Sequence, residues 1–386
     1  MSNPFTLRVI PPGSPFCNRK PELKELSSHV HNKTNVVLFS PRRYGKTSLI
    51  KKLQKNLERE GYLTAYSDLF LVTSENDVAQ RMAKSIYAVL HQRESLLKKG
   101  ARFLKTFQTF RPVFKPLADQ GVVLSVEPVS PNLSGIELLD KVLEEFGNFI
   151  EKQSVFAGVH IVFDEFQEIT DLKGSQVEGV LRRHIQEHQA SYFFVGSRRR
   201  ILLDIFNKKS RPFYQSAILF PLEALPHDEL TLFLMDQFKK GGKQCPKSVA
   251  EKISAKIFQY PFYAQALAYH VFEASAKVVG ESDINIAFEK LLASERYGYE
   301  GIVQDLTSPQ LALLKALAIQ PISKIMSTEY MQAHRLSVGG IQYARKKLEE
   351  LDIIERHNGI WRIVDPVFSI WLSGYASGSI TATGTI

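Results

Sequence analysis

Apolar positions fall into two rhythms along this chain. Val36-Val37-Leu38-Phe39 is an unbroken apolar run that predicts a buried strand stopping at Ser40-Pro41, and Leu49, Ile50, Leu53 and Leu57 then recur at helical spacing up to Gly61. The same alternation repeats downstream. Leu63 to Leu71 predicts a second strand, and Val78, Met82, Ile86 and Leu90 put one apolar face on a helix from Asn76 to Leu90. A helix over Ser134 to Glu151 leads into a third buried strand, Val159 to Phe163. A helix from about Gln176 to Gln189 precedes a fourth strand, Ser191 to Val195, and Ile218-Leu219-Phe220 predicts a fifth. Strands alternating with helices imply an α/β unit with a parallel sheet covered on both sides. Ahead of it, Pro4, Pro11, Pro12 and Pro15 predict an extended segment before a helix from about Pro21 to Val30.

The pattern changes twice. Between His91 and Ser130 the spacing of Phe103, Phe107, Phe110 and Phe114 among seven Lys and Arg residues reads as a packed, basic connector. After Pro221 strand signals fade, and helical periodicity from about Asp228 to Arg296 defines a helical subdomain. From Thr307 a third unit begins: helices over 310–319, Thr328 to His334, and Ser337 to Leu351, the last with Ile341, Ala344, Leu348 and Leu351 as its buried stripe. Ile353 to His357 and Ile360 to Val364 then flank Asn358-Gly359, a hairpin signal. The organisation expected is 1–222, 223–306 and 307–372, with the Ser-, Gly- and Thr-rich 373–386 as a frayed tail.

Composition narrows the class. With 386 residues, 44% of them hydrophobic and 23% charged, the chain is an ordinary globular one, long enough for two or three domains. No run approaches a membrane span and no signal-peptide pattern appears, so a cytoplasmic location is expected. Cys17 and Cys245 are too few for a disulfide framework or a zinc site. The net charge of +9 is concentrated in residues 1–120, which carry 21 Lys and Arg against 9 Asp and Glu. Such a balance suits polyanions, either nucleotide phosphates or nucleic acid.

The candidate chemistry lies where strands end. Ser40-Pro41-Arg42-Arg43-Tyr44-Gly45-Lys46-Thr47, followed by Ser48, stands between a buried strand and a helix and matches G-x-x-x-x-G-K-[ST] except at Ser40. Gly45 permits close approach of the backbone to phosphate, the helix-start amides face the anion, Lys46 offsets β- and γ-phosphate charge, and the Thr47 hydroxyl suits Mg²⁺. Asp164 and Glu165 follow the apolar third strand. In a parallel sheet they share the carboxyl edge with the phosphate loop, Asp164 for the Mg²⁺ shell and Glu165 to orient water. Ser197, after the fourth strand, is placed to sense the γ-phosphate, and Arg198, Arg199, Arg200 and Arg211 are arginines that could reach it, within one chain or across a subunit boundary.

Together these residues resemble the archaeal-type ATPases of the STAND group within the AAA+ branch. The resemblance runs from Pro15 to Leu372 and includes Phe16-Cys17-Asn18-Arg19-Lys20-Pro21-Glu22-Leu23, Ala65 to Phe70, Asp164 to Ile169, Arg211-Pro212-Phe213-Tyr214, Tyr260-Pro261-Phe262-Tyr263 and Val364 to Phe368. It departs at Asn18 and Ser40, where the family usually has glycine, and at Tyr260. The fold it implies is a P-loop NTPase sheet, then an all-helical lid and a C-terminal winged helix, with Phe16 to Arg19 and Pro261 flanking the adenine of ATP.

Three functions stay open on the sequence. One is a slow Mg²⁺-dependent ATPase acting as a nucleotide-controlled switch, with nucleotide-dependent self-association as an accompanying expectation. Another is a DNA-binding regulator in which nucleotide is structural, and the last is a protein-binding adaptor. The winged helix could serve DNA or a protein partner. Its near-balanced charge, and Lys346-Lys347 followed by Glu349-Glu350, favour packing over DNA.

Overall fold

A computed structural model describes residues 2–14, 16–17, 19–92, 107–117 and 121–376. Five parallel strands form the central sheet in the order β2-β5-β6-β1-β7: β1 (Val36–Phe39), β2 (Leu63–Asp68), β5 (Val159–Asp164), β6 (Ser191–Gly196) and β7 (Ile218–Pro221). Each central strand is apolar on both faces because both faces are covered. Val36, Leu38, Val162, Phe193 and Val195 meet α1 (Lys20–His31) and α2 (Lys46–Arg59). Val37, Ile161, Phe163 and Phe194 meet α3 (Glu75–Gln92), α4 (Gly135–Lys152), α5 (Val177–Glu187) and α6 (Arg199–Asn207) on the other side. Registers Phe39↔Gly196, Phe163↔Phe194 and Asp68↔Asp164 bring the carboxyl ends of four strands to one edge.

The segment read as a connector is instead, over its described part, an antiparallel hairpin of β3 (Phe110–Leu117) and β4 (Gly121–Pro128). Phe110 and Phe114 are four apart, a spacing that puts residues on one face of a helix or of a strand alike. Pro112 and Pro116 decide against the helix interior. Phe110 is buried and its carbonyl accepts from Tyr87 Oη at 2.6 Å, whereas Phe114 stays half exposed. Phe103 and the five cations from Arg93 to Lys105 lie outside the described residues. Helix α6 is an element the strand and helix rhythm did not predict.

Beyond the sheet come α7 (His227–Lys240), α8 (Lys247–Lys256), α9 (Pro261–Ala274) and α10 (Glu281–Gln304). The winged helix has α11 (Ser308–Ile319), α12 (Thr328–Ala333), α13 (Val338–Glu350), the hairpin β8 (Ile354–His357) and β9 (Ile360–Ile363), and α14 (Pro366–Ala376). Ser337 caps α13, its hydroxyl accepting from the Gly340 N–H. Helix α14 carries the chain four residues into the segment read as a tail, because Trp371 and Leu372 anchor it in the core. The helical region and the winged helix share that core: Tyr299 of α10 lies 4.9 Å from Phe368 and 5.5 Å from Trp371 between ring centroids. Among the described residues no helix is long and apolar enough to cross a membrane. Cys17 and Cys245 are free and buried, and burial pushes both thiols up to about 12.

Candidate active site

Chain direction at the end of β1 builds the site. Ser40 is buried, Arg43 and Gly45 take left-handed backbone at φ 65° and 87°, and Gly45 is the N-cap of α2. At Gly45 a side chain would be strained by the backbone alone. The turn closes on itself: Lys46 Nζ donates to the Ser40 carbonyl at 2.9 Å and to the Pro41 carbonyl at 3.0 Å. Burial lowers the Lys46 pKa to about 8, against the pull of Glu165 and Asp164. Held by the carbonyls of its own loop, this ammonium is placed to exchange them for phosphate oxygens, which would favour its charged form.

Next to it, Thr47 Oγ1 donates to Asp164 Oδ2 at 3.0 Å, and Tyr66 Oη donates to the same oxygen. Burial raises the Asp164 carboxyl above its usual range. Glu165 begins the turn after β5 with left-handed backbone, φ 51°. Its Oε2 accepts from Ser197 Oγ at 3.0 Å and from Gln167 Nε2. Ser197 follows β6, the strand lying between β1 and β5, so the topology itself aims its hydroxyl at Glu165.

The tertiary structure thus brings together Ser40, Lys46, Thr47, Asp164, Glu165 and Ser197. A cavity of about 360 Å³ opens beside them, lined by Arg42, Arg43, Gly45 to Ser48, Glu165 and Pro261. Pro41 contributes a carbonyl to Lys46, and Tyr44 lies on the far side of the loop, edge-on to Tyr260 at 4.6 Å. Phe16 and Arg19 do not line this cavity. Phe16 lies under Lys52, 4.7 Å from its ammonium, and Arg19 is turned to Glu22 at 2.7 Å and the Glu223 carbonyl at 2.6 Å. Asn18 lies outside the described residues. The opposite wall is an N-terminal strap, Thr6 to Ile10, tied to the helical region by Thr6 N–H donating to Gln265 and to α2 by Ile10 N–H donating to Ser48 Oγ at 3.1 Å. Phe5 anchors it, 4.8 Å from Phe238. The prolines on either side of it signalled an extended segment but not where that segment lands.

The four candidate arginines all face carboxylates. Arg198 meets Asp171 at 2.6 Å and Glu168 at 3.2 Å, and Arg211 meets Glu178. Arg199 and Arg200 meet the winged helix, Arg199 at Glu355 and Arg200 at Glu349, 3.4 Å away. Gln167, Tyr66, Asp352 and Glu355 are the site neighbours that sequence reasoning passed over. Tyr66 and Gln167 carried a signal, as parts of the quoted runs Ala65 to Phe70 and Asp164 to Ile169.

A parallel sheet with a phosphate loop after β1 and paired acids after β5 defines a P-loop ATPase fold. Residues 16–260 match the family described as an ATPase domain predominantly from Archaea, more than half of the chain, and the chain belongs to that family. Residues 297–374 match the family described as "Probable winged helix domain". In structure the chain is similar to the Walker-type ATPase of Pyrococcus abyssi, at 16% identity and a TM-score of 0.68, with 95% of this chain and 99% of that chain covered. It is also similar to the ORC2 protein of Aeropyrum pernix in its ADPNP-ADP complexes, at 14% identity and a TM-score of 0.58, with 97% and 98% covered. At these identities the likeness is one of fold. No curated protein matches the chain.

Proposed function

We propose that this protein is a Mg²⁺-dependent ATPase of low turnover, of the STAND type, that works as a nucleotide-controlled conformational switch. The observation that carries this reading is the meeting of Lys46, Thr47, Asp164, Glu165 and Ser197 beside a cavity whose other walls come from the helical region and the N-terminal strap. ATP would place its phosphates on the loop from Ser40 to Ser48 and its base between Pro261 and Thr6 to Ile10.

Mg²⁺ fits the residues present. Thr47 and Asp164 offer hard oxygen donors side by side, and Asp164 is a buried carboxyl that gains from a neighbouring cation. When bound, the ion would neutralise charge on the β- and γ-phosphates. These two residues would supply the protein's share of the shell, and the nucleotide's own oxygens would add to it.

Glu165 would orient the attacking water, and its present bonds argue for slow turnover. With Oε2 accepting from both Ser197 and Gln167, the carboxylate is held in place and must give up one of these bonds before it can orient a water with that oxygen. The winged helix packs on the ATPase unit through acidic residues, which favours a role inside the chain or toward a protein partner over DNA. Arg362 is held at 2.8 Å by Glu355, and Arg345 lies over the Trp361 ring at 5.5 Å and 3.6 Å from Glu349. The test is equilibrium binding of ATP and ADP with and without Mg²⁺, followed by turnover on the same sample. No affinity for either nucleotide would remove the proposal, and rapid turnover would remove the switch.

A further inference from the structure

Three consecutive residues of the phosphate loop reach away from the cavity floor into the helical region. The carbonyl of Arg42 accepts from Tyr260 Oη, Tyr44 meets the Tyr260 ring, and Arg43 makes the longest connection. Its left-handed backbone turns the guanidinium over the Phe262 ring at 4.3 Å, where Nη1 donates to Glu295 Oε2 at 2.7 Å and to Tyr263 Oη at 3.3 Å. Burial works against the Arg43 charge, but Glu295 and Tyr263 together outweigh it and strengthen the cation.

Tyr263 is fully buried, and its hydroxyl is a junction. It gives its proton to the Asp365 carboxylate, so its oxygen accepts from Arg43 and, at 2.9 Å, from Tyr299. Asp365 spends its other oxygen on the start of α14, accepting from the Val367 N–H at 2.9 Å and the Phe368 N–H at 3.0 Å. An unbroken line of hydrogen bonds therefore runs from the phosphate loop to the last helix of the winged helix. The Tyr263 hydroxyl and the Asp365 carboxylate relay it.

We propose that Arg43 is a positioning residue that couples occupancy of the phosphate loop to the seating of the winged helix, through Tyr263 and Asp365. This rests on the reading of the loop as an ATP site. Arg43 lines the cavity as well as the bridge, with its side chain 44% exposed, so a bound triphosphate competes with the single carboxylate of Glu295 for the guanidinium. Multiple phosphate charges win that competition. Tyr263 then loses its Arg43 donor, and its bond to Asp365, hence the cap of α14, weakens.

The experiment is hydrogen–deuterium exchange on the full chain with and without Mg²⁺-ATP, with equilibrium ATP binding on the same samples, for the parent, Tyr263→Phe and Asp365→Asn. In the parent, ATP is expected to raise exchange of the α14 amides several-fold. Tyr263→Phe keeps the ring and removes only the junction, so α14 should exchange at the raised rate without nucleotide, ATP should add little, and ATP affinity should rise by no more than the same several-fold factor. Asp365→Asn keeps the capping oxygen and its size, and gives the same reading if Tyr263→Phe does not fold. An α14 that ignores ATP in a parent that binds it, or a folded variant that responds as the parent does, overturns the coupling and leaves the ATP site standing. A parent that binds no ATP overturns both.

Discussion

The main-chain N–H of Arg199 donates to Asp352 Oδ2 at 3.0 Å, joining the start of α6 to the turn between α13 and β8. The Arg199 guanidinium meets Glu355 in the same contact. Asp352 also feels Lys46, so an acid of the winged helix stands within electrostatic reach of the phosphate loop. Burial raises its pKa to about 6 despite Arg199. Glu355→Ala would leave the Arg199 guanidinium, three-quarters buried, without its carboxylate. A loss of roughly 1–3 kcal/mol in unfolding free energy is expected by denaturant titration, a cost typical of an orphaned polar group. An unchanged midpoint would mean that the contact holds nothing.

Lys46→Ala should fold and bind neither ATP nor ADP tightly, as read by calorimetry. The parent carries a sharper signature. Lys46 releases its proton near pH 8 in the folded chain, against an ordinary value of 10.5, so between those values the folded state binds fewer protons and stability from this group rises with pH. Phosphate restores the charge. Nucleotide binding at pH 8.5 is therefore expected to take up a proton, seen as a binding heat that varies with the buffer, and to do so much less at pH 6.5. Equal buffer dependence at both would refute the buried-lysine account.

Asp164 and Glu165 should separate. Glu165→Gln is expected to retain Mg²⁺-ATP and lower turnover by about two orders of magnitude or more. Asp164→Asn should weaken the Mg²⁺ dependence of binding instead. Parental turnover in Glu165→Gln would take the water-orienting role away from that residue.

Gly196 is a position where the site leaves no room. A Cβ there would lie 2.0 Å from Gln167 Oε1 and 3.2 Å from a methyl of Leu202. Gly196→Ala should push Gln167 off Glu165 and change turnover more than ATP affinity, measured on the folded variant. Equal loss of both would point to general damage.

The winged helix permits a direct contest between partners. Replacing Arg345, Lys346, Arg356 and Arg362 with Ala should leave any salt-dependent retention on DNA as in the parent, because Arg345 and Arg362 are held within the protein. Arg356 donates to the carbonyl of Gly359 in its own hairpin at 3.2 Å. A steep salt dependence in the parent that flattens in this variant would establish DNA contact.

Residues close in sequence were legible wherever one local rule governed them. The run Val36 to Phe39, the loop to Thr47 and the acids after Phe163 declare strand, phosphate loop and sheet edge, because apolar runs, glycine geometry and chain direction in a parallel sheet are local properties. What lies between distant segments was decided by packing. Phe110 and Phe114 fit two periods at once, and only the pairing of β3 with β4 chose between them. Phe16 and Arg19 found partners in Lys52, Glu22 and Glu223, and the strap from Thr6 to Ile10 took the cavity wall once Phe5 found Phe238. Which acids would hold Arg199 depended on residues more than 150 positions away, because an ion pair follows from where two surfaces meet and leaves no period in either segment.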